Sequence, residues 1–305
     1  AAAVPPPAAP PSPAPPVPQA DGWPFDAAEA ARRQTADGPH ARKFDLGDGV
    51  TLDLVRIPAG SFVGLGGGTA PAHHTVSEPF WLGRCEVTNR QYGRFDSGHD
   101  SRIERGDFLQ FSVAERGIPA NTPDQPVVRV SWNQADAFCR WLSAKTGEPC
   151  SLPDETRWEY ACRAGSDTPL WYGAADADFA RFANLADRTL RTMPTLGWGL
   201  PSAAVPPWRP AIESVDDHFR VAAPVGSYAA NAWGLHDMAG NVWEWTTGEF
   251  SPGRKTVRGG SWSDRPQRST TLSRQGFRPW QPLYHTGFRV MVGKTETGVA
   301  TASPR

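Results

Sequence analysis

Apolar positions along the chain repeat with two periods, and each period dominates its own stretches. Alternation marks strands. Leu52-Asp53-Leu54-Val55-Arg56-Ile57 alternates, Pro58-Ala59-Gly60 turns and Ser61-Phe62-Val63 resumes, a hairpin pattern. After a Gly/Ala/Pro-rich loop at 64–72, His73–Val76 and Phe80–Gly83 read as two further strands. Adjacent His73 and His74 then fall on opposite faces, which suits surface histidines rather than a shared metal. Gln125–Val130 reads as a short buried strand, and Val257–Trp262 and Gly287–Val292 as two strands of one sheet.

The helical period appears elsewhere. Ala27–Gln34 is helix-like, packing loosely or extending a longer helix. Thr88 with Gln91, and Ser131 with Gln134, have capping-box spacing. Tyr92 and Phe95 share a face in the first of these helices. The second places Ala135, Phe138, Cys139 and Leu142 on one stripe and can end at Gly147. Leu152–Gly165 is another helix unit, opened by Pro153 and Asp154, closed by Gly165, with Trp158, Ala161 and Cys162 inside. Residues 97–125 and 166–230 lack either period; Trp171, Trp198 and Trp208 are the expected anchors of the second stretch.

Composition sharpens this picture. Thirteen Trp, 30 Gly and 31 Pro in 305 residues imply short elements, many turns and a core of few large anchors. Thirty-one basic against 32 acidic residues leave no basic excess for nucleic acid. No apolar run approaches the roughly 18 residues of a membrane span. No repeat, P-loop or dinucleotide fingerprint occurs. The four cysteines, Cys85, Cys139, Cys150 and Cys162, form no CxxC pair, and two disulfides or four thiols both fit. Residues 1–20 are almost all Pro and Ala, an extended tether. With no initiator Met, the start reads as processed or truncated, and export after signal-peptide removal, as in bacterial secreted proteins, is the expectation; an internal linker has the same composition. The expected divisions are a tether at 1–20, an N-terminal extension at 21–45, one domain at 46–293 and a polar tail at 294–305. A monomer is the default expectation.

The chain is organised around Trp233-Gly234-Leu235-His236-Asp237-Met238-Ala239-Gly240-Asn241-Val242-Trp243-Glu244-Trp245. Asp237 and Glu244 bracket a glycine turn, and a strand through Trp243-Glu244-Trp245 puts both rings on one face and the carboxylate on the other. Gly240 can turn backbone carbonyls inward, and hard cations such as calcium take carbonyl and carboxylate oxygens alike. The spacing alone also fits an ordinary pair of surface acids.

Several segments together resemble the formylglycine-generating enzyme and sulfatase-modifying-factor family. They are Ile57-Pro58-Ala59-Gly60-Ser61-Phe62, Glu86-Val87-Thr88-Asn89, Pro126–Trp132, Leu152-Pro153 with Trp158–Arg163, Gly240–Trp245, Arg258-Gly259-Gly260-Ser261-Trp262 and Gly287-Phe288-Arg289. They run in the family's order over about 46–293. The resemblance implies a single α+β domain with little regular secondary structure, related to the C-type-lectin-like fold. It also implies two structural calcium ions. One falls on Asn184, the backbone of Leu185, Asp217 and the backbone of Phe219; the other on Asp237, the backbones of Gly240 and Val242, and Glu244. Active members of the family oxidise a substrate cysteine to formylglycine with dioxygen and a copper(I) ion held by two cysteines.

Those two positions carry Asp264 and Ser269 here, or Arg268 for the second if the loop has one insertion, and no cysteine follows Cys162. A carboxylate and a hydroxyl do not replace the soft thiolates that copper(I) selects, so no copper is expected. Cys139 and Cys162 match positions that some members pair with C-terminal cysteines absent here, which favours buried thiols. The first functional expectation is a divergent oxidoreductase acting on a peptide or peptide-derived substrate, like a periplasmic siderophore-maturing relative that lacks the copper cysteines. Asp264, Arg268 and Ser269 are its candidate catalytic residues, and Ser261, Trp262, Arg265, Arg278, Trp280, Tyr284 and His285 its substrate-binding ones. The second is a noncatalytic peptide- or small-molecule-binding module, with Trp280 and Tyr284 as exposed rings. An iron-dependent sulfoxide synthase needs a three-histidine site, and only His40, His73 and His74 precede residue 99.

Overall fold

The computed structural model describes residues 18–36, 38–104, 118–191 and 211–293. Trp198, Trp208, nearly all of the Pro/Ala tether, the middle of the 97–125 stretch and the polar tail lie outside the described residues.

Helix α1 (Ala27–Thr35) begins where Asp26 accepts the Glu29 N–H. Ala30 is fully buried and its carbonyl accepts the Trp233 indole, so this extension docks firmly onto the body rather than packing loosely. Strands β1 (Ala41–Gly47) and β2 (Val50–Ile57) make the first hairpin, turning at Gly47-Asp48-Gly49, all at positive φ. β3 (Gly60–Gly64) pairs with β4 (Ala72–Val76), not with β2. The expected 52–63 hairpin is therefore corrected: Pro58-Ala59 carries the chain from one sheet to another, because β2 already has β1 on one edge and β5 (Phe80–Gly83) on the other. His73 is exposed, whereas His74 packs on Phe62.

The capping boxes at Thr88 and Ser131 form as expected, opening α2 (Asn89–Tyr92) and α3 (Trp132–Thr146). Between them lie β6 (Ile103–Glu104) and β7 (Ile118–Pro119), which pair with each other. The four apolar stripe residues of α3 are its buried ones, and Gly147 ends it at φ 74. Gln125–Val130 is buried but not a strand: Pro126 lacks an N–H and Arg129 sits at φ 59, so only an isolated bridge from Thr88 to Pro126 forms. After β8 (Cys150–Ser151), α4 (Glu155–Arg163) runs through the interior, and all its residues but Thr156 are buried. Ala164, rather than Gly165, is its left-handed cap residue. A short α5 (Arg188–Arg191) precedes the central stretch.

The C-terminal elements are β9 (Trp243–Ser251), β10 (Arg254–Arg258), β11 (Arg274–Phe277), β12 (Thr286–Gly287) and β13 (Met291–Val292). One sheet has order β1-β2-β5-β13-β8, a second β11-β10-β9-β12. The 287–292 segment thus splits: its start pairs in parallel with β9 and shares the expected sheet with β10, while its end, β13, joins the first sheet instead. Phe288 between them packs on Phe138 and Tyr92, which ties the two sheets to α3 through one aromatic cluster. The whole is a single α+β domain with little regular secondary structure.

Candidate functional site

The central stretch is a chain of tight turns. Asp237, Gly240 and Asn241 lie at φ 59, 78 and 57. Gly240 must be glycine on two counts, its φ and the Asn184 carbonyl that a Cβ would meet. Its N–H donates to Gly259 O, and that of Asn241 to Asn184 O, so the turn is stitched to two remote loops. Beyond it, β9 alternates as expected. The Trp243 and Trp245 indoles donate to Asp264 Oδ2 at 2.8 Å and Val130 O at 3.0 Å. Glu244 faces the other way, toward Arg289 and Trp158.

The residues expected to hold calcium fall into two groups: Leu185 and Phe219 meet Asp217 in the first, whereas Asp237 and Glu244 of the second bond to different partners. In the first, Asp217 is buried and accepts the Leu185 N–H at 2.8 Å and the Phe219 N–H at 3.0 Å. Burial pushes its carboxyl up to about 8 against those two bonds, and neighbouring Asp187 adds to the rise. Asn184 donates its amide to Val221 O and Asn241 Oδ1, while its own Oδ1 is buried with no hydrogen-bond partner. In the second group, Asp237 accepts the Gly226 N–H on Oδ2 at 2.7 Å and leaves Oδ1 buried without a partner. Burial raises its carboxyl, opposed by the Gly226 bond and by Arg289.

Glu86 belongs to this second group, although nothing in the spacing of the central stretch points to it. The sequence signal is its place at the head of the family segment Glu86-Val87-Thr88-Asn89, two positions before the helix-capping Thr88. Its Oε1 accepts the Asn241 amide at 3.0 Å, its Oε2 is buried without a partner, and it lies within hydrogen-bonding reach of Asp237. Burial, then the charge of Asp237, pushes the Glu86 carboxyl well above the usual range. Glu244 behaves differently. Arg289 grips both its oxygens at 2.6 and 2.7 Å, and the Trp158 indole adds a bond at 2.8 Å. Buried oxygens without donors, on groups held in place by their remaining bonds, suit a hard divalent cation. No cluster of three His, Cys, Asp or Glu converges among the described residues, so such an ion draws on carbonyl and amide oxygens as well.

The loop after Gly259-Gly260 carries the altered centre. Asp264 Oδ2 accepts both Trp243 and, at 2.6 Å, the Ser261 hydroxyl, while Arg268 Nε lies 3.5 Å from Oδ1. Ser269 is buried against Gly260 and donates to Arg265 O. Ser261 and Trp262 are buried too, so three residues expected to meet substrate lie beneath the surface; the two positive-φ glycines turn this loop inward. His285 stacks on Tyr284 with ring centroids 4.3 Å apart, and Tyr284 meets Trp262 edge-on. Burial pulls the His285 imidazole down to about 4 although Asp264 opposes this, so it is neutral at pH 7. Arg265 and Trp280 are exposed, the latter at 67%. Arg278 is exposed beside Gly253 at the β9–β10 turn. A cavity of about 320 Å³ adjoins Pro266 and Gln267, with Phe179, Ile212 and Val215 inside it and Asp176 and Asp178 among its lining.

All four cysteines are free thiols, and burial pushes Cys162 up to about 12, far from the thiolate that chemistry or soft metals need.

Residues 48–294 match the profile of the sulfatase-modifying factor enzyme 1-like domain. The formylglycine-generating enzyme of Bos taurus is 27% identical over 242 residues, 64% of this chain, which spans only 57% of that protein's length. That of Streptomyces coelicolor is 29% identical, covering 74% of this chain and 76% of its own. The inactive C-alpha-formylglycine-generating enzyme 2 of Bos taurus is 26% identical over 83% of this chain and 92% of its own. Among solved structures, variable protein 1 of Treponema denticola superposes at TM-score 0.61 with 19% identity, covering 83% and 99% of the two chains. PvdO of Pseudomonas aeruginosa superposes at 0.59 with 24% identity, covering 82% and 97%; these two likenesses concern the fold.

Proposed function

The chain belongs to the sulfatase-modifying-factor family, and from that premise we propose that it is a calcium-stiffened ligand-binding member whose copper chemistry has been replaced by a binding surface. The observation that carries this reading is the state of Asp264. The position of a copper thiolate holds a carboxylate, and that carboxylate is already bonded to Trp243 and Ser261 and paired with Arg268. Ser269, at the second thiolate position, is buried and turned toward a backbone carbonyl. Both residues act as internal struts. What the centre offers outward is Arg265, Arg268, the Tyr284–His285 stack and exposed Trp280.

The ligand chemistry that fits is a peptide or peptide-derived molecule with an anionic group for the arginines and an apolar side chain for the cavity beside Pro266. The two proposed calcium ions hold the 184–186, 217–219 and 237–244 segments, whose closure is otherwise opposed by chain entropy. Isothermal titration with a set of short peptides, each as free carboxylate and as amide, tests this. Binding that favours the carboxylate and weakens at least tenfold in Arg265→Ala supports the reading. Conversion of a sulfatase-type cysteine peptide to its aldehyde with one copper bound refutes it.

A second reading, a divergent oxidoreductase, is favoured by one observation: half-buried His285 is neutral at pH 7 and feels the charge of Asp264, the residue at the first altered position. Substrate-dependent dioxygen uptake that disappears in His285→Gln selects it over the binding reading.

A further inference from the structure

We propose that the cavity beside Pro266 reads the amino terminus of a peptide ligand, holding a free α-ammonium at its mouth and the apolar side chain of the first residue inside. The inference rests on the peptide-binding reading above and names which end of the peptide enters.

The cavity has two layers of different chemistry. Its inner wall is Phe179, Val215 and Pro266, all buried, with half-buried Ile212. Its outer wall carries Asp176 and Asp178, both exposed. Asp178 accepts the Ala180 N–H at 3.0 Å, and among the described residues no Lys, Arg or His lines the cavity or pairs with either acid. A volume of about 320 Å³ is at the small end of ligand pockets, room for one large side chain and the backbone atoms that carry it.

This layering decides the occupant. A lysine or arginine side chain entering the cavity drives its charged tip against the apolar inner wall, where a charge without a partner is costly. An amino-terminal residue matches both layers. Its apolar side chain covers the inner wall, while the ammonium stays at the wet mouth with the two carboxylates. Exposed Arg265 directly precedes Pro266, so the same loop offers the opposite charge to an acidic group further along the peptide. The walls are set in advance. Gln267 Nε2 donates to Ala175 O at 3.5 Å, the Ile212 N–H to Ala186 O at 2.8 Å and the Ala186 N–H to Asp264 O at 2.9 Å, which ties the cavity to the altered centre through the backbone.

Isothermal titration of the full-length protein at pH 7, where a peptide ammonium is mostly charged, tests this. The probes are Leu-Ala-Ala-Glu, its des-amino analogue with 4-methylpentanoyl in place of the first residue, and Gly-Ala-Ala-Glu. Loss of the ammonium, or of the leucine side chain, is expected to weaken binding about tenfold or more. In Asp176→Asn combined with Asp178→Asn, the leucine peptide and its des-amino analogue are expected to bind alike, while the preference for a free carboxylate over its amide persists. Equal binding of those two probes by wild type, or an ammonium preference that survives in the double variant, overturns the inference and leaves the peptide-binding reading standing. Failure of every peptide to bind overturns that reading, and this inference with it.

Discussion

On the calcium reading proposed above, the metal-free protein should be sensitive to pH in an unusual direction. Asp217 is buried, and its carboxyl is held near 8 in the metal-free fold against an ordinary value of 3.8. At about 1.4 kcal/mol for each factor of ten, ionising it there without a counter-ion costs about 6 kcal/mol. A carboxyl whose folded pKa is raised contributes stability that is complete below its unfolded pKa and is lost as pH climbs through the folded one. Metal-free protein should therefore lose stability steadily between about pH 4 and pH 8. Glu86 and Asp237, both pushed upward, act with the same sign. The proposed calcium ion would supply the missing charge, so its effect should be small at pH 5 and large at pH 8. For a domain of this size that amounts to roughly 10–20 °C in Tm at pH 8. Thermal unfolding of metal-free protein with and without added calcium chloride, at pH 5, 6.5 and 8, reads the gap directly. Asp217→Asn should flatten the pH slope of the metal-free form. A calcium effect equal at pH 5 and pH 8, or a metal-free form that gains stability with rising pH, refutes the reasoning.

Other expectations follow from packing and bonding. Asp264→Ala leaves the Trp243 indole and Ser261 hydroxyl without their acceptor and should cost about 1–3 kcal/mol in urea unfolding, a loss that a purely catalytic carboxylate does not produce. Trp243→Ala should cost about 3–5 kcal/mol by the same measurement, whereas Trp280→Ala should stay within about 0.5 kcal/mol, because one ring is buried and the other 67% exposed. Ser131→Ala opens the capping box of α3 and should cost about 1 kcal/mol, read as a matching fall in the urea midpoint at unchanged slope.

What the sequence discloses here is local chemistry. Both capping boxes, the α3 stripe and the Trp243-Glu244-Trp245 alternation depend on neighbours within a few residues, and all appear as the spacing predicts. Partner choice is less legible. Residues 52–63 carry the marks of a hairpin, yet β2 pairs with β1 and β5, because strand pairing is settled by which edges are free in the whole sheet. Gln125–Val130 has strand composition but contains Pro126 and a left-handed Arg129. The inward face of α4 cannot be read from period alone, since its charged residues are buried in pairs such as Arg163–Glu159 and Arg258–Glu159. The site follows the same rule. The family motifs include Glu86 and Glu244, but that Glu86 joins Asp237 across a separation of 151 positions, and that Arg289 grips Glu244, only the fold reveals.

A single mass-spectrometric experiment tests the loss of copper chemistry most directly: purified protein, copper(I), dioxygen and a sulfatase-type peptide carrying one cysteine. With Asp264 and Ser269 at the metal-binding positions, the peptide should keep its thiol and the protein should leave desalting without copper. A peptide aldehyde, formed in proportion to copper bound one to one, contradicts it.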